Sequence, residues 1–323
     1  MIRITFLGTA AARPTVGRGV SAFAVQREAS LMLFDCGEGT QRQMMRYGTG
    51  FAVTDIFFTH VHADHLLGLT GLLRTMALQG RTDAIGLYGP PRSRGVLEDA
   101  VRLGVERVAF PVHVTELTAG DVVERDGFRL RAVAAEHGTP AFAWALEEEP
   151  RLGRFDVERA RELGVPPGPL FGRLHRGETV DLDGRTVTPD EVVGPTRPGR
   201  KVVFSGDSRP CRAITEAARA ADLLVHEATF ADAESDRARE TGHSTAREAA
   251  EVARAAGVRR LILTHISARY ADAPGALEAE AAKVFRPVTV AHDGLVVEVP
   301  FPEEEIPAAS GAGDARSGRE PDL

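Results

Sequence analysis

Apolar positions along the chain recur with two periods, and the changes between them mark the elements. Ile2, Ile4 and Phe6 alternate with other residues and predict a first strand that ends at Gly8. Strands follow at about Ser21 to Val25 and Leu31 to Asp35, and Gly37-Glu38-Gly39-Thr40 leads into a helix through Met45. Asp55-Ile56-Phe57-Phe58 reads as a buried strand. After a turn, Asp64 and His65 are expected to open a helix whose apolar stripe is Leu69, Leu72, Leu73 and Met76. Strand-like and helical segments then alternate as far as a strand at Phe142 to Leu146. Three more apolar runs, Lys201 to Ser205, Leu223 to Val225 and Leu261 to Thr264, predict buried strands. Thr245-Ala246-Arg247-Glu248 is a capping box, and Ala249, Val252, Ala253 and Ala256 form one face of the helix it starts. Such alternation predicts a layered α/β core.

Two stretches break the pattern. Residues 147–200 hold Pro166-Pro167-Gly168-Pro169 and several further glycines, with little core character. Within 151–176, six arginines face three acids, a local positive excess in a chain of net charge −7. A long excursion that does not build the core is functional or disordered. The tail 301–323, rich in Glu, Pro, Ala, Gly and Ser from about Pro302, reads as disordered. The expected organisation is therefore one domain over 1–300, with an arm inserted at 147–200.

Composition narrows the class without naming it. Hydrophobic content of 43% and charged content of 26% are ordinary for a globular protein. No apolar run approaches a membrane span, and MIRITFLGTA begins as a strand instead of a signal segment, so the expected location is the cytoplasm. Cys36 and Cys211 cannot make a disulfide framework and read as buried free thiols. The net charge argues against an overall basic surface, although a local field or bound cations can still attract phosphate.

Chemistry concentrates in Thr59 to Leu73. His60, His62, Asp64 and His65 fall within six positions at the end of a predicted buried strand. Alternate residues of an extended segment point the same way, so His60 and His62 share a side. Imidazole and carboxylate without thiolate suit zinc or a similar metal engaged in hydrolysis. His137 precedes a Gly-Thr-Pro loop, and Asp207 and His265 each end a predicted strand, which makes seven candidate ligands. Seven suit two ions, with Asp207 as the bridge and room for a shared water. These residues alone leave hydrolysis of a phosphodiester and of a reactive acyl bond both open. Asp35, at a strand end, fits either a carboxylate that supports a ligating histidine or an ordinary turn aspartate. His243 lies just ahead of a helix N-terminus, where free N–H groups favour a phosphate. It is a candidate to hold that phosphate or protonate a leaving oxygen, with Glu227 keeping it charged. His226 is read as structural.

The motif His60-Val61-His62-Ala63-Asp64-His65, followed by His137, Asp207 and His265, resembles the metallo-β-lactamase fold. His226-Glu227-Ala228-Thr229 and His243-Ser244-Thr245 are similar to two segments distinctive of tRNase Z, the family that trims precursor tRNA 3′ ends. Phe6 to Gly39, Pro166 to Pro169, Phe204 to Asp207 and Leu263 to Tyr270 resemble its bacterial short form. The resemblance implies an αββα sandwich with two zinc ions at one edge, manganese being an alternative. It implies Asp64 as ligand and proton acceptor, and a protruding arm that grips the tRNA elbow, often across a homodimer. Expected substrate contacts are Pro14 and Arg18 in the first loop and Arg173, His175 and Arg176 in the arm. Short-form members commonly carry Asn after that arginine, where this chain has Gly19. Rivals are a small-molecule hydrolase of the same fold, which needs neither the arm nor His243, and an RNA-binding protein with a structural metal.

Overall fold

The computed structural model describes residues 1–104, 108–182 and 184–302. Two seven-stranded sheets lie face to face. The first contains β1 (Ile2–Gly8), β2 (Ala22–Arg27), β3 (Ser30–Phe34), β4 (Val53–Phe57), β5 (Ile85–Gly89), β6 (Val112–Glu116) and β16 (Val296–Val299), in the order β16-β1-β2-β3-β4-β5-β6. The second contains β7 (Val122–Arg125), β8 (Phe128–Ala134), β9 (Phe142–Glu148), β12 (Lys201–Phe204), β13 (Leu223–Glu227), β14 (Leu261–Thr264) and β15 (Val288–Val290), in the order β15-β14-β13-β12-β9-β8-β7. The short hairpin of β10 (Val180–Leu182) and β11 (Arg185–Val187) stands apart from both.

Period-two alternation decides which side chains meet. Val202 and Phe204 of β12 enter the core between the sheets with Phe34, Phe57 and Trp144, while Val203 faces the other way. That outer face packs against the helix Ala246–Ala256 through Ala249, Val252 and Ala253. The first sheet packs its outer residues, Leu33 and Ile56 among them, against Leu69, Leu72, Leu73 and Met76 of the helix Leu69–Leu78. Strands apolar on both faces require such a covering layer on each side. The result is the expected αββα sandwich.

The helix after the histidine motif differs from expectation. Asp64 and His65 occupy a separate turn, Ala63–Leu66, and the helix with the apolar stripe starts afresh at Leu69. The break brings backbone against backbone. Gly68 donates its N–H to Cys36 O at 2.9 Å, and a Cβ at Gly68 would lie 2.0 Å from Gly37 O. Only glycine permits that approach.

The 147–200 excursion is built more firmly than its composition suggests. Its helices Val157–Glu162 and Pro169–His175 and the β10–β11 hairpin enclose Ala160, Leu163, Val165, Leu174, Val180, Val187 and Val192. It rises from the end of β9 and returns to β12 through the paired backbones of Arg151 and Arg197. Phe301, expected in the tail, instead lies under the guanidinium groups of Arg151 and Arg200, at 3.4 and 4.0 Å from its ring centre. The expected disorder of 303–323 falls outside the described residues. Among the described residues, no helix is long and apolar enough to cross a membrane.

Candidate active site

Strand ends from both sheets converge on one rim. β4 runs into Thr59 to His65, β12 into Ser205-Gly206-Asp207, β13 ends at Glu227, and β14 runs into His265. Because β8 and β9 are antiparallel, the turn between them brings His137 to the same rim.

All seven candidate ligands meet there. His60 Nε2 lies 2.9 Å from His62 Nδ1, which in turn lies 3.4 Å from His137 Nε2. Asp64 Oδ2 lies 3.5 Å from His65 Nε2 and 3.4 Å from His265 Nε2. Asp207 Oδ2 stands between the two groups, 3.3 Å from His265 Nε2, 3.4 Å from His65 Nε2 and 3.7 Å from His60 Nε2. Ligands about 2.0–2.1 Å from a tetrahedral zinc are roughly 3.3–3.4 Å from one another. Ring nitrogens that face each other without a proton donor between them also need a cation at their centre. His65 Nε2 is buried and makes no hydrogen bond. The residues therefore fit a metal.

The opposite ring nitrogens are held by partners that set the tautomer. Thr59 Oγ1 donates to Asp35 Oδ2 at 2.9 Å, so it can accept from His60 Nδ1, at 3.1 Å. Thr229 Oγ1 donates to Glu227 Oε2 at 2.6 Å and can accept from His265 Nδ1 at 2.9 Å. His65 Nδ1 lies 2.7 Å from Asp35 Oδ2, and His137 Nδ1 lies 2.9 Å from Gly242 O. Each arrangement puts the proton on Nδ1 and leaves Nε2 free to ligate. Asp35 thus holds a candidate ligand, His65, and is more than a turn aspartate. Burial lowers the pKa of His60 and His62, and neighbouring imidazoles lower both further. Burial alone would raise Asp64 and Asp207, but the surrounding imidazoles outweigh it and hold both carboxyls below their usual range.

His243 borders this centre, within ligand distance of His137 and Asp207 on one side and of Glu227 and His265 on the other. Its Nδ1 lies 2.8 Å from Glu227 Oε1 and 3.9 Å from Asp207 Oδ2. Glu227 is 1% exposed and also accepts from Ser208 N and from Thr229 N and Oγ1. Burial works against a charged imidazole, yet Glu227 raises the His243 pKa to about 9. The expected phosphate site on the helix N-terminus is absent, because the first N–H groups already have partners. Thr245 N donates to Glu248 Oε2, Ala246 N to Phe230 O, and Glu248 N to Thr245 Oγ1. Whatever His243 does for a phosphate comes from its imidazole. His226, as expected, is structural: it is fully buried, with Nδ1 2.8 Å from Glu227 O.

Two expected substrate contacts turn inward. Arg18 is 9% exposed and donates through Nη1 to Thr9 Oγ1 and Ala291 O, at 2.7 and 2.6 Å. His175 Nε2 lies 2.8 Å from Gly153 O and ties the arm to its own base. A Cβ on Gly19 would contact Asp293, Leu7 O and Gln43 at 3.5–3.7 Å. Pro14, Arg173 and Arg176 are exposed, with Arg173 paired to Glu178 at 2.8 Å. A cleft of about 350 Å³ opens beside His243 and His265, and Arg13, Arg237 and Arg269 line it. The sequence assigned none of these arginines a role, although Arg13 and Arg269 lie in the stretches that resemble tRNase Z.

The sequence profile described as the Beta-lactamase superfamily domain matches residues 31–155 and 185–266, and its gap falls within the arm. The chain is 56% identical to the Ribonuclease Z of Myxococcus xanthus over 93% of its own length and 99% of that protein's. It is 53% identical to the Ribonuclease Z of Haloferax volcanii over 94% and 97%. Among solved structures, human tRNase Z, short form, superposes with a TM-score of 0.68 and 29% identity, covering 93% of this chain and all of the other. The Bacillus subtilis metallo-beta-lactamase fold protein YhfI matches with the same TM-score at 18% identity, over 92% of this chain and all of the other, and shares the fold alone. The ligand cluster, the His243–Glu227 pair and these relationships together make the chain a member of the ribonuclease Z family within the β-lactamase superfamily.

Proposed function

We propose that the protein is the endoribonuclease that removes 3′ trailers from precursor tRNA, leaving a 3′-hydroxyl on the tRNA. The observation that carries this is a cluster of seven candidate ligands flanked by His243, whose Nδ1 lies 2.8 Å from the buried carboxylate of Glu227 and is held protonated by it. A hydrolase acting on activated esters has no need of such an acid, whereas a ribose oxygen is a poor leaving group.

His60, His62 and His137 would hold one zinc-type ion and Asp64, His65 and His265 a second, with Asp207 shared; manganese is also compatible with this donor set. Two such ions supply an activated water and neutralise charge on the phosphate. Asp64, its Oδ2 fixed by the Ala12 N–H at 2.9 Å, is the protein's proton acceptor on the attacking side through its other oxygen. With His243 Nδ1 facing Glu227, Nε2 is the atom that gives a proton to the leaving oxygen. The 147–200 arm, with its own core and exposed Arg173 and Arg176, grips the tRNA body by shape and backbone. Pro14 and the exposed Arg13 border the path of the acceptor end. The same reading makes the enzyme a cytoplasmic homodimer, which sedimentation at assay concentration checks.

The test is incubation with a 3′-extended precursor tRNA, followed by mapping of the new ends. The expected product ends in a 3′-hydroxyl just after the discriminator nucleotide. Cleavage elsewhere, or none by a metal-loaded protein that still hydrolyses a nitrophenyl phosphodiester, sinks the proposal in favour of a small-molecule hydrolase.

A further inference from the structure

Arg209 follows the bridging ligand by two positions, yet its guanidinium points away from the metal centre. It donates through Nη1 to the backbone carbonyl of His243 at 2.5 Å and to Glu248 Oε2 at 2.8 Å, and through Nη2 to Glu248 Oε1. Its side chain is 19% exposed. Its own N–H donates to Glu136 O at 2.8 Å, beside the ligand His137. Ser208 completes the splice, accepting from Ser244 Oγ through its carbonyl and donating its N–H to Glu227.

We infer that Arg209 is the positioning residue for His243, working from behind the peptide. His243 hangs between two backbone anchors, its N–H on Ala238 O at 2.8 Å and its carbonyl on Arg209. Glu227 sets the direction of the imidazole, and the Ser244–Ser208 bond joins the two loops at the neighbouring residues. Arg209 fixes His243 itself, because its peptide belongs to the Asp207 loop and its fork reaches the His243 carbonyl. The planar fork also grips Glu248, the residue that closes the capping box on Thr245 N. One side chain thereby ties the bridging ligand, the loop of His137 and the acid into a single unit. Lysine offers a point charge and cannot reproduce both contacts at once.

The inference rests on the reading of His243 as an acting group in phosphodiester hydrolysis, but its test does not depend on which step His243 serves. Arg209→Ala, Arg209→Lys, His243→Ala and the double variant Arg209→Ala/His243→Ala are compared on precursor tRNA and on a nitrophenyl phosphodiester. Displacement of a reacting group by about 1 Å costs up to about 10²-fold in rate, so kcat of Arg209→Ala on tRNA should fall by that order while KM stays near the parent value. Arg209→Lys should recover part of the loss. Metal content should remain that of the parent. In the His243→Ala background, removing Arg209 should cost nothing further, as expected for residues acting as one unit. An additive loss in the double variant, or an unchanged kcat in Arg209→Ala, overturns the inference. If Arg209→Ala proves unstable, the same cycle run with Arg209→Lys decides it. A failure of His243→Ala to discriminate between the two substrates would instead count against its role as an acid and leave the Arg209 cycle readable.

Discussion

Asp35→Asn tests the metal centre through a residue that touches no ion. Asp35 Oδ1 accepts from Thr59 N at 2.8 Å, and its Oδ2 faces Thr59 Oγ1 at 2.9 Å and His65 Nδ1 at 2.7 Å. Its φ of 59° lies in the left-handed region, where asparagine is among the best-tolerated side chains, so the substitution changes charge and hydrogen bonding with little backbone cost. If the amide oxygen keeps the Thr59 N–H, the NH₂ group is left facing His65 Nδ1. Two N–H groups cannot point at each other, so His65 must move its proton to Nε2. That is the atom 3.4 Å from Asp207 Oδ2 and 3.5 Å from Asp64 Oδ2, where a ligand lone pair is needed. Loss of such a support typically costs about 10–100-fold in metal affinity, or roughly 1.4–2.8 kcal/mol. The larger loss should fall on the proposed site of Asp64, His65 and His265, because His60 depends on Asp35 only through Thr59 Oγ1, which can still donate to the remaining oxygen. Competition for zinc against a chelator of known affinity measures both steps, and hydrolysis of precursor tRNA follows the weaker one. Parent affinity at both sites in Asp35→Asn would refute the argument that this carboxylate sets the His65 tautomer. Equal weakening of both would show that it supports the rim as a whole.

Three further outcomes follow from the same geometry. His243→Ala should retain its metal and thermal stability, lose about 10²–10⁴-fold in kcat on precursor tRNA, and recover partly on a nitrophenyl ester, which needs little protonation; loss of a metal ion would reassign His243 as a ligand. Replacing the arm between Arg151 and Arg197 with a short Gly/Ser linker should raise KM for precursor tRNA steeply and spare the small phosphodiester, because the arm buries its own core; collapse of both activities in a folded variant would count against a separable arm. Arg237→Glu, on the wall of the cleft beside His243, should raise KM for precursor tRNA and flatten its salt dependence; an unchanged salt slope would remove the cleft from the substrate path.

The sequence alone carried what short-range geometry controls. A buried strand running into His60, His62 and His65 presents its imidazoles at a strand end whatever surrounds it, and the Thr245–Glu248 capping box closes within one turn. The three later strand ends were legible for the same reason, since apolar runs mark strands and the polar residue that stops each run marks its rim. Tertiary structure decided what depended on partners far along the chain. Arg18 looked free for substrate because Asp293, which draws it inward, and Ala291, whose carbonyl it meets, lie more than 270 positions away. His175 turns to Gly153 O, and the Ala246 N–H at the helix N-terminus turns to Phe230 O. In each case the sequence showed a polar group without showing its hydrogen-bond partner. A side chain or free N–H takes whichever partner the fold brings near, and it is the fold that brings Ala291 to Arg18, Gly153 to His175 and Phe230 to Ala246. The meeting of the seven candidate ligands has the same origin, because strands from both sheets bring them together across the sandwich.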